Sequence, residues 1–373
     1  MQGTKLRRIL WFSWKDLSHP EAGGAELINE EIAKRLARDG HEVMFLVAGF
    51  PGSEVEKIRN GYKVIRLGNR YAVYWHAYRY YKKRLRGWAD LVIDEMNALP
   101  FFCKYYVRER NILLAYQLCR EIWFYQVRFP LSLIGYLLEP VYLWLLRDRC
   151  VITESESTKR DMQKYGFSAG NISVIPVGIA TKPLENLDGT VKFARPTVLS
   201  LGSVRPMKRT LDQIEAFEIA KKTIPDLQLK IAGDASGSYG KNVLARIAAS
   251  DCAQDIEHLG RVDEGVKTEL MRKCHLILVT SVKEGWGLIV TEANSQGTPA
   301  AVYDVDGLRD STVDGKTGII ARENTPRGLA DAIVAILGDR SRYSNVREDA
   351  WKASREFTFE KTYSAFAQAI EKA

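Results

Sequence analysis

The chain has 373 residues, 46% hydrophobic and 27% charged, which suits two domains of about 150 to 200 residues and excludes both a small disulfide scaffold and a compositionally disordered chain. Lysine and arginine outnumber aspartate and glutamate by 54 to 46; the resulting +8 favours anionic partners without separating nucleic acid, anionic lipid and phosphorylated substrate. The five cysteines, Cys103, Cys119, Cys150, Cys252 and Cys274, are scattered and lack CxxC pairing, so they read as reduced residues of a reducing compartment.

The start, MQGTKLRRILWFSWKD, puts basic residues before an apolar run too short for a secretory core. That run, Arg8 to Ser13, predicts a buried strand, and no export signal is expected. In AGGAELINEEIAKRLARDG, residues Leu27, Ile28, Ile32, Leu36 and Ala37 recur at helical spacing and Gly40 supplies the stop. The strand VMFLVAG follows, completing a βαβ unit that opens a doubly wound sheet. Further strands are predicted at 64–67, 91–93, 111–116, 151–153 and 172–177, giving an N-terminal Rossmann-like domain over 1–180. Residues 181–196, polar with two prolines, read as a linker. A second α/β series runs over 197–345, with strands at 197–202, 227–233, 256–260, 275–280, 299–303 and 317–321 and clear amphipathic helices at 209–222 and 326–337. Residues 346–373 read as helices whose large apolar groups, among them Trp351, Phe357, Phe359, Tyr363 and Phe366, can cross back to the N-terminal domain.

Two segments depart from an ordinary Rossmann pattern. Between 62 and 88 stand Lys63, Arg66, Arg70, Arg79, Lys82, Lys83, Arg84 and Arg86 with no acidic residue, interleaved with Tyr71, Tyr74, Trp75, Tyr78, Tyr80 and Tyr81. Between 122 and 146 apolar and aromatic residues dominate, interrupted by Arg128, Pro130, Glu139 and Pro140. A spanning helix needs roughly 20 apolar residues, and the longest clean run here, 130–138, is too short. The segment reads either as a helix or groove at a membrane surface, or as a helix buried against the N-terminal sheet.

Three stretches carry candidate chemistry. Gly23-Gly24 lies between the first strand and the first helix, where backbone N–H groups and the helix dipole can meet a phosphate, or where a tight turn is all that is needed. In SLGSVRPMKRT, Arg205 and Lys208 end a strand and can share a diphosphate, unless they form only a solvated loop. In KEGWGLIVTEA, Glu284 falls in a loop and Glu292 on a helix starting near Gly287 or Leu288. Helix amides there can meet phosphate and the carboxylates can accept from sugar and ribose hydroxyls; the plain alternative is a helix cap and a solvated glutamate. His41, His76, His258 and His275 show no ligand spacing, so no metal site is expected.

Taken in order, the Gly-Gly-Ala-Glu segment, the basic loop after the first strand of the second domain, and the E-x7-E element from Glu284 to Glu292 resemble the retaining glycosyltransferases of family 4, over nearly the whole chain. HP.AGGAE, EIWFY, FPLSLIGYLLEP and ESESTKRDMQKYGF resemble its cell-surface polysaccharide and glycoconjugate branch. The resemblance implies a GT-B fold, two Rossmann-like domains facing a central cleft, and transfer of a hexose from a UDP- or GDP-sugar to an acceptor hydroxyl. It implies that Gly24 lies near the donor diphosphate and Lys208 on it, with Glu284 on the donor sugar and Glu292 on the ribose. Gly287, Leu288 and Ile289 would offer backbone groups, and Gly260, Arg261 and Val262 would hold the base. The family's usual arginine position is Ser203 here, so Arg205 must reach in, and Tyr116-Gln117 stand where many relatives have a histidine. His19, Tyr116 and Gln117 are acceptor-side candidates; His19 is a general base or a loop-packing residue.

Glu284, Lys208 and Arg205 are the expected catalytic groups, with no tightly bound cofactor and no required divalent metal. Expected partners are a nucleotide sugar, a sugar or lipid-linked acceptor, and an anionic membrane met by 62–88 and 122–146 at the cytoplasmic face; no nucleic acid is expected, since no HTH, RRM or KH pattern accompanies the basic segment. A nucleotide-sugar 2-epimerase, and a noncatalytic carbohydrate- or membrane-binding protein on the same scaffold, are the alternatives.

Overall fold

Continuous apolar runs, with no polar alternation, mark strands covered on both faces, and they set the frame of both halves of the chain. The computed structural model describes residues 7–372; residues 1–6 and 373, at the ends of the first and last expected segments, lie outside the described residues. The described chain divides into two compact units. Among the described residues the first takes 7–123, 129–178 and 359–372, and the second Phe124–Arg128 and Ile179–Thr358.

Unit 1 is built on β1 (Arg8–Phe12), β2 (Glu42–Val47), β3 (Glu56–Arg59), β4 (Tyr62–Arg66), β5 (Leu91–Met96), β6 (Asn111–Ala115), β7 (Val151–Thr153) and β8 (Ile172–Val174), in the order β3-β4-β2-β1-β5-β6-β7-β8. Central β1 is fully buried from Ile9 to Phe12. All pairings are parallel except β3 with β4, an edge hairpin absent from the sequence reading. Its turn is Asn60-Gly61, both at positive φ (46° and 88°), the dipeptide that closes tight hairpins. The helices are α1 (Gly24–Arg38), α2 (Val73–Tyr80), α3 (Trp123–Gln126), α4 (Leu131–Leu146) and α5 (Glu156–Lys164).

Helices α2 and α4 cover the same face of this sheet. Val73, Ala77 and Tyr81 pack with Leu10, Phe12 and Val92, while Tyr142, Leu143 and Leu146 pack with Leu113 and Val151. The register Phe12–Asp94–Leu113–Val151 runs straight across the strands, so those residues point the same way.

Unit 2 has a six-stranded, all-parallel sheet of β9 (Thr197–Leu201), β10 (Gln228–Ala232), β11 (Ile256–Gly260), β12 (Leu276–Val279), β13 (Ala300–Val302) and β14 (Gly318–Ile320), ordered β11-β10-β9-β12-β13-β14. Its helices are α6 (Thr210–Lys221), α7 (Ser238–Ala248), α8 (Glu264–Lys273), α9 (Leu288–Ser295), α10 (Leu308–Ser311), α11 (Pro326–Leu337) and α12 (Arg340–Ser354). The strand order reverses between β9 and β12, and the carboxyl ends of strands at such a switch point form the crevice where doubly wound sheets take ligands. The last helix, α13 (Phe359–Lys372), belongs to unit 1, where Phe366 stacks on Trp11 at 5.8 Å and Glu360 meets Arg35 at 2.7 Å.

The helix of the 122–146 segment buries one side and exposes the other. Ser132, Gly135, Glu139, Tyr142, Leu143 and Leu146 face inward, and the remaining apolar side chains of α4 are mostly exposed. No helix among the described residues is long and apolar enough to cross a membrane. The 62–88 patch is smaller than its sequence suggests: Arg66 is buried against Asp16 at 2.7 Å, and Lys63 pairs with Glu56 at 2.7 Å. Arg70, Arg79, Lys83, Arg84 and Arg86 remain exposed.

Candidate functional site

Two loops of unit 2 leave the sheet at the switch point. The first follows β9 and turns through a single 3-10 turn, Pro206–Lys208, into α6. The second follows β12 and enters α9 through Gly287, whose φ of +93° only glycine adopts readily. The loops are tied by backbone: Val282 N–H donates to the Met207 carbonyl at 2.9 Å, and the Thr280 hydroxyl to the Lys208 carbonyl at 2.7 Å. Their side chains meet as well, Lys208 Nζ donating to Glu284 Oε1, which also accepts from Ser281 Oγ at 2.6 Å. Both charged groups are partly exposed, at 24% and 18% of their side-chain surface. A cation and a carboxylate thus meet in the loop that leads, four residues on, into the first turn of α9, whose leading amides lack intrahelical acceptors.

Leu288 and Ile289 are the first residues of α9, and Glu292 sits a turn further along it. Glu292 is almost fully buried; burial pushes its carboxyl above the usual range, opposed by Lys267 of α8, whose Nζ lies 3.1 Å from Oε2 and 3.3 Å from Oε1. Arg205 is exposed at the head of the 3-10 turn and is not drawn into the Lys208–Glu284 contact. Gly260 ends β11 at φ +65°, followed by exposed Arg261 and half-buried Val262. The carboxyl ends of β9, β10 and β11 are held close by glycine: Gly202 N–H donates to the Ala232 carbonyl at 2.9 Å and Gly233 N–H to the Gly260 carbonyl at 2.8 Å. A Cβ on Gly233 would come within 1.9 Å of the Gly202 oxygen.

Sequence reasoning passed over Lys267, Ser281 and the Lys283–Asp306 pair (3.0 Å), which braces the Glu284 loop together with the bond from Glu284 N–H to the Asp306 carbonyl at 3.3 Å. Gly307 was the available signal. It stands at φ +79° with the Glu284 carbonyl 2.3 Å from where a Cβ would be.

The candidates of unit 1 lie apart from these in sequence and have their own surroundings. Gly24 is the first residue of α1, and the preceding amide, Gly23 N–H, is taken by Glu26 Oε2 at 2.7 Å, with Lys15 Nζ 3.6 Å from the same oxygen. His19 packs against Trp14 and Phe50, and its Nδ1 accepts from Glu21 N–H at 3.1 Å. Burial, then Lys15, holds its pKa below the usual imidazole value. With Nδ1 accepting that bond, the neutral ring carries its proton on Nε2. Tyr116 is buried, and its hydroxyl donates to Asn29 Oδ1 at 2.5 Å; Asn29 in turn donates to Glu95 Oε2 at 2.8 Å, as does Trp11 Nε1 at 3.1 Å. Burial, reinforced by nearby Glu26, pushes Glu95 up to about 8. Gln117 Oε1 is buried without a partner.

Among the described residues no group of three or more His, Cys, Asp or Glu side chains is placed to hold a metal ion. All five cysteines are unbridged.

Residues 22–182 match the family described as Glycosyltransferase Family 4, and residues 190–354 the one described as Glycosyl transferases group 1. A D-inositol 3-phosphate glycosyltransferase of Nocardia farcinica is 28% identical over 207 residues, 52% of this chain and 46% of that protein. The chain spans about half the length, or less, of the curated relatives it matches. Among solved structures, a sucrose-phosphate synthase from Thermosynechococcus elongatus superposes with a TM-score of 0.79 over 98% of both chains at 19% identity. The Anabaena protein HepE, solved with UDP-glucose, superposes with a TM-score of 0.73 over 98% of this chain and 100% of its own at 16% identity. Two consecutive family matches, each lying on a doubly wound unit, establish that the chain belongs to the group 1 glycosyltransferases of family 4 and has the GT-B fold.

Proposed function

We propose that the chain transfers a hexosyl unit from a UDP- or GDP-sugar to an acceptor hydroxyl, with retained anomeric configuration, in polysaccharide or glycoconjugate synthesis. The observation that carries this reading is the meeting of Lys208 and Glu284, 76 positions apart in the chain, beside the start of α9. Relatives support it: one is named as a glycosyltransferase of an inositol phosphate, and a protein of the same fold was solved with UDP-glucose.

In this mechanism the acceptor oxygen attacks the anomeric carbon from the face the diphosphate leaves. The bond from that carbon to the diphosphate oxygen breaks, the new glycosidic bond forms, and the acceptor's proton passes to the departing phosphate oxygen. Lys208, Arg205 reaching in from two residues past Ser203, and the Leu288 and Ile289 amides stabilise the emerging negative charge. These groups carry the charge without an obligatory divalent ion. Glu284 orients the sugar through its hydroxyls and supports positive character on the ring. Glu292, held by Lys267, takes the ribose, and Gly260, Arg261 and Val262 border the base. Acceptor recognition falls to unit 1, around Tyr116 and Gln117. The reaction is cytoplasmic, at the inner face of a membrane.

The test is calorimetry with UDP, GDP and ADP, followed by a screen of labelled nucleotide sugars with and without acceptor extract. Affinity for one diphosphate and an acceptor-dependent glycoside are expected. No affinity for any of the three ends the reading, and an epimerised sugar formed without acceptor converts it to a 2-epimerase. Glu284→Ala is expected to lower transfer by at least about 10²-fold in a folded protein; near-wild-type turnover at saturating donor removes its role.

A further inference from the structure

Helix α4 carries apolar side chains on every side, broken only by inward-facing Ser132 and Glu139, a composition found where a helix is surrounded by core or by lipid. Only half of it is surrounded by core. Its inner face is pinned to unit 1, Gly135 lying so close to Trp123 that a Cβ would come within 2.5 Å of the ring. Glu139 is the single acidic residue from 129 to 147, and it is turned inward. It accepts from Cys119 N–H at 2.7 Å, Arg120 N–H at 2.6 Å and Trp123 Nε1 at 3.1 Å. The outer face is left free of negative charge. On it Leu137, Val141 and Trp144 are 60%, 52% and 55% exposed, continuous with Leu131, Ile134 and Leu138. At its end the Arg147 guanidinium lies over the Trp144 ring at 3.9 Å, an aromatic–cation pair suited to the boundary between acyl chains and headgroups.

This apolar strip adjoins the basic segment. Phe102 packs on Tyr142 of α4 at 6.2 Å, the Tyr105 hydroxyl donates to the Leu145 carbonyl at 3.4 Å, and Tyr106 packs on Tyr78 of α2 at 4.9 Å. Because α2 and α4 cover the same face of the sheet, exposed Arg70, Arg79, Lys83, Arg84 and Arg86 flank the strip on one side of unit 1. A second copy of the chain is a poor occupant, since a symmetric pairing through α4 would bring two such cationic patches towards each other.

We propose that this face of unit 1 docks on an anionic bilayer, α4 lying in the interface plane with its outer aliphatic side chains among the acyl chains and the 70–86 cations on lipid phosphates. At 16 residues and about 24 Å, α4 lies on the surface and does not cross it. The proposal names the partner for the membrane position in the functional reading above, and stands or falls separately from the chemistry of unit 2.

Flotation of the full chain with phosphatidylglycerol–phosphatidylcholine vesicles, against phosphatidylcholine alone, tests it. The protein is expected to float with the anionic vesicles, with tryptophan emission quenched by brominated acyl chains. Leu137→Glu/Val141→Glu changes two exposed positions, so it is expected to keep its melting temperature while partitioning at least about tenfold less. Lys83→Glu/Arg84→Glu is expected to lose binding to anionic vesicles, and salt is expected to weaken wild-type binding through the same groups. Absence of flotation, flotation unchanged in the apolar variant, or a dimer that this variant dissolves would each overturn the proposal, the last assigning the face to a second copy. Nucleoside diphosphate calorimetry on the same samples separates the two ideas: flotation without nucleotide affinity sinks the transferase reading alone.

Discussion

Glu95 shows how far a side chain's chemistry departs from its sequence. At the end of β5 it looks like any strand carboxylate, yet it is completely buried, one of its oxygens accepts from Trp11 and Asn29, and the other has no partner. With its pKa pushed up to about 8, the folded state holds the proton that the unfolded chain releases above about 4.5. Stability from this group is therefore fully present below pH 4.5, falls as pH rises and is lost by about pH 8. Glu95→Gln is expected to match wild type near pH 4.5 and to exceed it by about 4 kcal/mol at pH 8, read by denaturant unfolding at both pH values. Lys208 is the counterpart in unit 2, since replacing it leaves Glu284 with Ser281 as its remaining side-chain partner. Lys208→Ala is expected to lower turnover about 10²-fold or more, seen as kcat falling with the far-ultraviolet spectrum unchanged. The residue types at 208, 284 and 292 were legible; that 292 would be paired with Lys267, or 208 with 284, was not, because charge pairing between loops depends on the sheet that carries them.

At the scale of elements, the parallel strands were readable to within three residues at each end because double burial writes itself as apolar runs. The β3–β4 hairpin was missed for the opposite reason: β3 is a largely exposed edge strand, EKIR, without an apolar signature, although its Asn60-Gly61 turn was in plain sight. Helix α4 could not be decided between membrane surface and core from its composition, since both environments ask for apolar residues; the structure buries one side of it and leaves the other exposed. Glycines act at this level through backbone crowding. Gly307→Ala places a methyl group 2.3 Å from the Glu284 carbonyl at a φ of +79°, so it is expected to displace the Glu284 loop, lowering transfer at least tenfold while the helix and strand content is retained. Full activity in that variant would separate the loop from the chemistry.

For the whole molecule, the end of the chain returns to the unit where it began. Helix α13 lays Phe366 on Trp11, reaches Arg35 through Glu360, and Tyr363 donates to Asp39 at 2.6 Å. Phe366 is fully buried, so Phe366→Ala is expected to cost about 3 to 5 kcal/mol, measured as an earlier denaturant midpoint, an effect much larger than any surface change in the same helix. What the sequence by itself determined is local in cause: the alternation of strands and helices, the glycine turns, the family marks from the Gly-Gly-Ala-Glu segment to the E-x7-E element. Periodicity and turn chemistry need only near neighbours, and near neighbours are what a sequence displays. Only the tertiary structure decided which distant residues meet: Lys208 with Glu284, Glu95 with Asn29 and Trp11, α13 with α1, and which half of α4 stays uncovered. Such contacts are set by strand order and by the side of the sheet a crossover takes, and separation along the chain carries no record of either.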